Sequence, residues 1–220
     1  MANQPLNKHY NDHNFSGEDL SGETFQSCHF YQCNFSRSDL TDTTFIDCVF
    51  IESGDVIGCD FSYTNLKDAS FQGCNLSMAN FDGAIAFGIE MRHCHLKGAS
   101  FVRTQFANFI THNTYFCSAF ITNCDLSYVN LENQKLEKCD LFENRWRGAN
   151  LSGTSFEGSD LSRGEFSEEH WQQAHFQQCN LSHIELNGLD IRTVNIRGAM
   201  ICQWQQEQLL ETLGIITIPD

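Results

Sequence analysis

Proline is almost missing from this 220-residue chain: the two present, Pro5 and Pro219, stand near its ends. No backbone donor is lost between them, so a hydrogen-bonded ladder can run through the whole interior. Basic residues are scarce as well, 13 Lys and Arg against 28 Asp and Glu, for a formal net charge of −15. That sign disfavours direct nucleic-acid binding, because phosphate contacts need a Lys and Arg excess. No apolar run approaches the ~20 residues of a membrane span, and no charged-then-apolar leader is present. A soluble, cytoplasmic protein is therefore expected. The chain also lacks a Gly-rich phosphate loop, a nucleophile elbow and a histidine pair at metal spacing. No catalytic residue and no cofactor are expected, and an enzyme is the least favoured class.

What the chain does have is a period of five. Phe or Leu opens the series at Phe15, Leu20, Phe25, Phe30, Phe35, Leu40, Phe45 and Phe50, and the series resumes at Phe61. Of the 37 fifth positions from 15 to 50 and from 61 to 201, 28 are Phe or Leu. Those residues make up 37 of the 220, so chance does not produce the pattern. Repeats of this kind outrank every other fold signal.

Five matches neither the 3.6 of a helix nor the 2.0 of a strand. It fits a chain that turns a corner once per repeat and points the central residue, i, inward each time. Position i−2 points inward into less space, as Cys28, Cys33, Ser38, Thr43 and Cys48 illustrate. Positions i−1, i+1 and i+2 are mostly polar or Gly and face water. Four corners close a square coil, residues twenty apart stack, and stacked coils form a parallel ladder at ~4.8 Å. The expectation is one elongated all-β solenoid of about nine coils in which each coil packs only on its neighbours.

Nine of the eleven cysteines sit at i−2, Cys117 and Cys202 being the exceptions. They read as small buried core residues rather than a disulfide framework. His93-Cys94-His95 resembles a metal cluster until its phase is read, since Cys94 points in and both histidines point out. The acids occupy outward positions. They serve solubility, or they present a negative cylinder to a basic groove, and composition does not choose between the two.

The repeat fails at places where function concentrates on a rigid scaffold. Phe50 and Phe61 are eleven apart where ten would keep phase, and Ile51, Glu52, Ser53, Gly54, Asp55, Val56, Ile57 and Gly58 read as a surface loop. From Ala107 to Ser118 phase is nominally kept, yet Thr111 occupies a centre and apolar residues crowd out of pattern. A projecting loop is expected there, with Phe109, Ile110, Thr111, His112, Asn113, Thr114, Tyr115 and Phe116 available to a partner. Ala86 stands at a centre with Phe87 one place late, Trp146 and Trp171 enlarge the core at their centres, and Glu169 falls inward without an evident reason.

The repeat ends near Cys202, so residues 1–12 read as an N-terminal cap, 13–202 as the coil and 203–220 as a C-terminal segment. Gln203 to Leu213 reads as a short helix with Gly214 as its C-terminal cap. Leu209, Leu210 and Leu213 share a face. With Trp204, Ile215 and Ile216 they exceed what one end-cap consumes, and a homodimer through this segment is expected.

Cys124-Asp125-Leu126-Ser127 and Ala149-Asn150-Leu151-Ser152-Gly153 resemble the motif of the pentapeptide-repeat family. That resemblance covers residues 13 to 202 and implies a right-handed quadrilateral β-helix. The two interruptions, the terminal helix and stretches such as Gly88-Ile89-Glu90-Met91-Arg92-His93-Cys94 and Leu209-Leu210-Glu211-Thr212-Leu213-Gly214-Ile215 narrow the resemblance to the Qnr quinolone-resistance proteins. It implies an elongated dimer without enzymatic activity that binds DNA gyrase and topoisomerase IV and protects them from quinolones. It further implies that loops 51–58 and 107–118 matter for protection. The acidic rod then either mimics DNA or leaves DNA in place while the loops destabilise the drug complex. A structural or interaction rod with an unrelated partner is the competing class.

Overall fold

In the computed structural model, residues 5–111, 114–216 and 218 are described, and they form a four-faced parallel β-helix closed by a short helix. Bridge partners lie twenty residues apart, Asn14 with Asn34 and Asp160 with Asn180 among them. Two insertions lengthen single coils. Asn34 pairs with Asp60, six residues beyond the regular spacing, and His95 pairs with Asp125, ten beyond it. Following the chain through these offsets sorts the centres into four columns. Face A carries Phe15, Phe35, Phe61, Phe81, Phe101, Leu131 and Leu151. Face B runs from Leu20 through Leu66, Ala86 and Phe106 to Phe176, and face D from Phe30 through Phe50 and Leu126 to Leu186. Face C, from Phe25 to Leu181, holds the longest sheet: β2 (Thr24–Gln26), β4 (Thr44–Ile46), β5 (Ser70–Gln72), β6 (Ile89–Arg92) and β9 (Ala119–Thr122), all parallel. On face D, β1 (His9–Asn11) pairs with β3 (His29–Tyr31). The ladder starts at Leu6, ahead of residue 13 where the residue pattern begins.

The core is a column of stacked side chains. Rings on face A lie parallel at 4.6, 4.8, 5.0 and 4.7 Å from Phe15 through Phe35, Phe61 and Phe81 to Phe101. Those spacings follow the ladder spacing of ~4.8 Å, so ring stacking and backbone pairing reinforce each other at every coil.

Position i−2 does more than fill space. Its thiol or hydroxyl donates to the carbonyl of a centre one coil earlier: Cys48 to Phe25 at 3.4 Å, Cys94 to Phe71 at 3.4 Å, Thr64 to Phe35 at 2.7 Å, Thr154 to Leu131 at 2.7 Å. Cys, Ser and Thr recur there because each is small and each donates. Burial pushes the Cys74 thiol far above its usual range and the Cys139 and Cys179 thiols up to about 12. All eleven cysteines are free. At many repeats position i−1 is half-buried rather than fully exposed: Asn34, Asp60 and Asp160 accept hydrogen bonds from the N–H two residues on, at 2.8, 2.9 and 2.9 Å. Part of the acidity is thus turn-forming.

Three local departures correct the simple repeat. Glu169 is exposed, because residues around it form α1 (His170–Gln173), and the inward place goes to His170, which is fully buried. Trp171 still fills the core and donates Nε1–H to the Asn187 carbonyl at 2.9 Å. Ile191 is exposed although it keeps the period, at a turn joining the Thr193 and Val194 N–H groups to the Asp190 carbonyl, while Leu189 and Val194, both two before a centre, stay buried. The third is Ala86, which is buried at its centre while Phe87 lies half-exposed outside.

A turn at Gln203–Gln205 and α2 (Gln206–Glu211) cover the last coil. Buried Gln205 donates to the carbonyls of Leu181 and Ile184 at 2.8 and 2.7 Å and accepts from the Cys202 N–H at 2.6 Å. Gln208 accepts from the Leu186 N–H at 2.8 Å. Glutamine side chains therefore complete a ladder edge that has no further coil to pair with. Gly214, at φ +75°, ends the helix with Ile215 N–H on the Leu210 carbonyl and Gly214 N–H on the Glu211 carbonyl, a Schellman pattern.

Candidate functional site

Two projections break the rod. The first leaves after Phe50 on face D and returns at Cys59 on face A; the second leaves after Phe106 on face B and returns at Ala119 on face C. They stand on opposite corners of the coil.

In the first loop Ile51, expected to meet a partner, is buried and anchors the loop on the coil. Glu52 to Ile57 are exposed, with Val56 74% and Ile57 73% accessible. A turn joins the Asp55 N–H to the Glu52 carbonyl at 3.1 Å, with Gly54 at φ +98° beyond the reach of most side chains. Gly58 ends the loop against the next coil, where a Cβ would meet Ser77 O at 2.6 Å and Ala79 N at 2.7 Å. Under the loop lies an open groove of about 470 Å³, lined by Gln32, Asn34 and Asp60 on one side and by Asp55, Val56 and Ile57 on the other.

The second projection is a β-hairpin rather than an irregular loop. β7 (Ala107–Thr111) pairs antiparallel with β8 (Thr114–Cys117), Ala107 opposite Cys117 and Phe109 opposite Tyr115, with a bulge between Phe109 and Thr111. His112 and Asn113, expected to take part, lie outside the described residues. Tyr115 ties the hairpin to the rod: its hydroxyl donates to Glu137 at 2.9 Å and the Lys135 ammonium sits 4.1 Å from its ring centre. Burial, then the Glu137 carboxylate, raises the Tyr115 hydroxyl pKa against the pull of Lys135. Phe116 packs edge-on against Phe87 at 5.3 Å. The late Phe87 is therefore half of a docking pair, a role that its place in the repeat does not show. Phe109 and Ile110 are 54% and 66% exposed, and Phe116 keeps 47% of its surface exposed beside Phe87.

The C-terminal candidates separate in the same way. Leu209 packs against the core and Leu210 is half-buried, whereas Trp204, Leu213, Ile215 and Ile216 are exposed. No helix among the described residues is long and apolar enough to cross a membrane.

Comparison with known proteins places these features. A model of the pentapeptide repeat region matches residues 23–106, and one of pentapeptide repeats matches 124–163 and 147–168. The pentapeptide repeat protein QnrB4 of Escherichia coli is 49% identical over 142 residues, 64% of this chain and 64% of its own length. The pentapeptide repeat protein VPA0095 of Vibrio parahaemolyticus is 54% identical over 143 residues, 65% of this chain and 66% of its own. The chain thus spans just under two thirds of these curated relatives. The solved structure of full-length QnrB1, a plasmid-mediated fluoroquinolone resistance protein, superposes with TM-score 0.92 at 45% identity, covering 96% of this chain and 100% of that one. With its repeats matched on both sides of the hairpin and its coil superposed end to end on QnrB1, this chain belongs to the pentapeptide-repeat family and, within it, to the Qnr quinolone-resistance proteins.

Proposed function

We propose that this protein binds DNA gyrase and topoisomerase IV in the cytoplasm and protects them from quinolones, acting as a homodimer and without chemistry of its own. The observation that carries the reading is the superposition on QnrB1, which extends over the whole coil. Two further features support it. The exposed Phe109 and Ile110 stand on a hairpin fixed to the rod by Tyr115 and Phe116, and anchors held in place lose little freedom on binding. Exposed Trp204, Leu213, Ile215 and Ile216 surround the cap and supply apolar surface for a second copy.

Between the two mechanisms, the hairpin favours engagement of the drug-stabilised complex over replacement of its DNA. A regular rod offers a similar surface at each coil, so recognition that depends on one place requires what departs from the coil. The test is gyrase supercoiling in the presence of a quinolone. Intact protein restores the reaction. A variant in which residues 108–116 are replaced by an Asn-Gly turn, which suits the paired Ala107 and Cys117, keeps its melting midpoint and loses the rescue. Rescue by this variant equal to that of the intact protein rejects the hairpin mechanism, and absence of rescue by the intact protein rejects the function.

A further inference from the structure

The chain reads as uniformly acidic, but the coil sorts its charges. Position i+2 falls at a corner, so each corner carries one column of these side chains. Between faces A and B, in successive coils, that column is Arg37, Tyr63, Gly83 and Arg103, in register through Arg37 N–H to Ser62 O, Tyr63 N–H to Asp82 O and Gly83 N–H to Val102 O. Between faces D and A it is Met78, Gly98, Tyr128 and Gly148. Lys97 and Arg147 stand beside this second column.

The two corners are built alike. The Arg37 guanidinium lies 5.8 Å from the Tyr63 ring centre, and the Lys97 ammonium 5.6 Å from that of Tyr128. The tyrosine rings lie over Gly83 and Gly148 of the following coil, where a Cβ would approach to 2.7 Å in each case. Tyr63 and Tyr128 are 52% and 55% exposed. Ion pairs among the described residues engage Lys67, Arg92, Arg145, Arg163 and Arg192, and none of Arg37, Lys97, Arg103 or Arg147.

The corners away from face A differ in sign. One column holds Asp42, Asp68 and Lys138 and the other Asp47, Glu143 and Arg163, the last two paired at 3.1 Å, while face C between them carries Glu90, held by Arg92 at 3.4 Å, and the adjacent Asp140 and Asp160. Burial, then the neighbouring Asp160, raises the Asp140 carboxyl pKa, an effect that Arg92 opposes. Face A has three acids in the same coils. Two of them are engaged internally: Asp60 accepts from Asn80 at 3.0 Å, and Asp82 from Ser100 at 2.6 Å and the Val102 N–H at 2.9 Å. Only Glu132 is freely exposed.

We infer that face A between these two corners is the docking face for a protein segment that carries carboxylates around an apolar tip. The reasons are compositional and electrostatic. Tyr, Met and Arg are the residues enriched at protein interfaces, and here they border one face of the rod, whereas the opposite face sets the carboxylates of Asp140 and Asp160 side by side without an ion-pair partner among the described residues. Unpaired cations on both edges favour carboxylates arriving between them. The groove beneath Val56 and Ile57 opens onto the same face through Asn34 and Asp60, and its Val56 and Ile57 wall suits the apolar tip, with Asp55 on the rim turning the carboxylates toward the cationic corners. This inference rests on the topoisomerase reading for the identity of the partner.

The experiment measures equilibrium binding of full-length protein to immobilised DNA gyrase at two salt concentrations. The variants are R37E/R103E at one corner and K97E/R147E at the other. Glu143 already occupies a corner at φ 57°, so Glu fits the backbone of Arg37 and Arg103, both at φ 60°. Each double variant is expected to bind ~10-fold more weakly, with a shallower salt dependence, while D140N/D160N on face C stays within about twofold of the intact protein. Circular dichroism and melting confirm that the coil is intact. Face A variants that bind like the intact protein, or a face C variant that weakens binding as much, overturn the docking face and leave the topoisomerase reading standing. If intact protein does not bind gyrase, both fall.

Discussion

A left-handed backbone conformation recurs two residues after the centre at most corners, from Asp12 at φ 50° to His183 at φ 61°. Gly meets it without strain, and Asn and Asp tolerate it better than other residues. The chain nevertheless places Tyr63, Met78, Arg103 and Tyr128 there, so stacking and surface chemistry outweigh local preference at those corners. Gly58 is required for another reason, the backbone of the adjacent coil at 2.6–2.7 Å from a Cβ. Gly58→Ala is expected to lower stability by roughly 1–3 kcal/mol and to displace the first loop, with the melting midpoint and exchange of the 52–57 amides as readouts. His170 makes a second case. It is buried, its Nδ1 accepts the Ser167 N–H at 3.0 Å, and its Nε2 lacks a partner. Burial lowers its pKa, against the opposing pull of Glu169 and the Ala149 backbone. The unfolded chain therefore takes up this proton before the native one does. The stability tied to neutral His170 is complete above the unfolded value of about 6.5 and is lost as pH falls below it. His170→Phe is expected to give a shallower fall of the melting midpoint between about pH 7 and 5.

At the scale of elements, the hairpin and the end-cap show how a coil accommodates what is not coil. Ten residues added in phase leave the register on both sides unchanged, because ten is two repeats, and β7 and β8 satisfy their own backbone groups by pairing with each other. The first loop adds six residues and so shifts the sequence phase by one, while the coil resumes its geometry at Cys59. The cap relies on side chains to do what another coil would do. Gln205→Ala leaves two carbonyls and one N–H without partners. It is expected to cost about 1–3 kcal/mol and to release amide protection first in residues 181–186.

The molecule as a whole is a rod with unlike sides, and the proposed dimer places its assembly at the C-terminal end. Truncation after Cys202 removes both the ladder cover and the exposed apolar residues, and is expected to yield monomer or aggregate by light scattering. Leu213→Glu with Ile215→Glu separates the two roles, since both side chains are exposed in the single chain. This variant is expected to be monomeric with an unchanged melting midpoint. An intact chain that remains monomeric at high micromolar concentration would reject the dimer.

Much of this was legible in the residues. A large apolar group every fifth place, small ones two before it and no interior proline leave a chain little choice but a four-cornered coil, and both projections announce themselves where that rule lapses. Gly214 was readable as a cap because only a left-handed residue closes a helix in that way. Other features needed the coil itself. Phe166, Trp171 and Phe176 keep perfect phase, so nothing in the spacing reveals that α1 turns Glu169 outward and His170 inward. Ile191 keeps phase too and is exposed, at a turn closed on the Asp190 carbonyl that the spacing does not announce. Phe87 and Phe116 lie 29 residues apart and meet only because the hairpin folds back over face B. Charge shows the limit most plainly: composition counts carboxylates, but which of them share a side depends on insertions of six and ten residues that reset which face every later residue joins. Local spacing encodes a repeat, whereas neighbours across coils exist only once the whole path has closed.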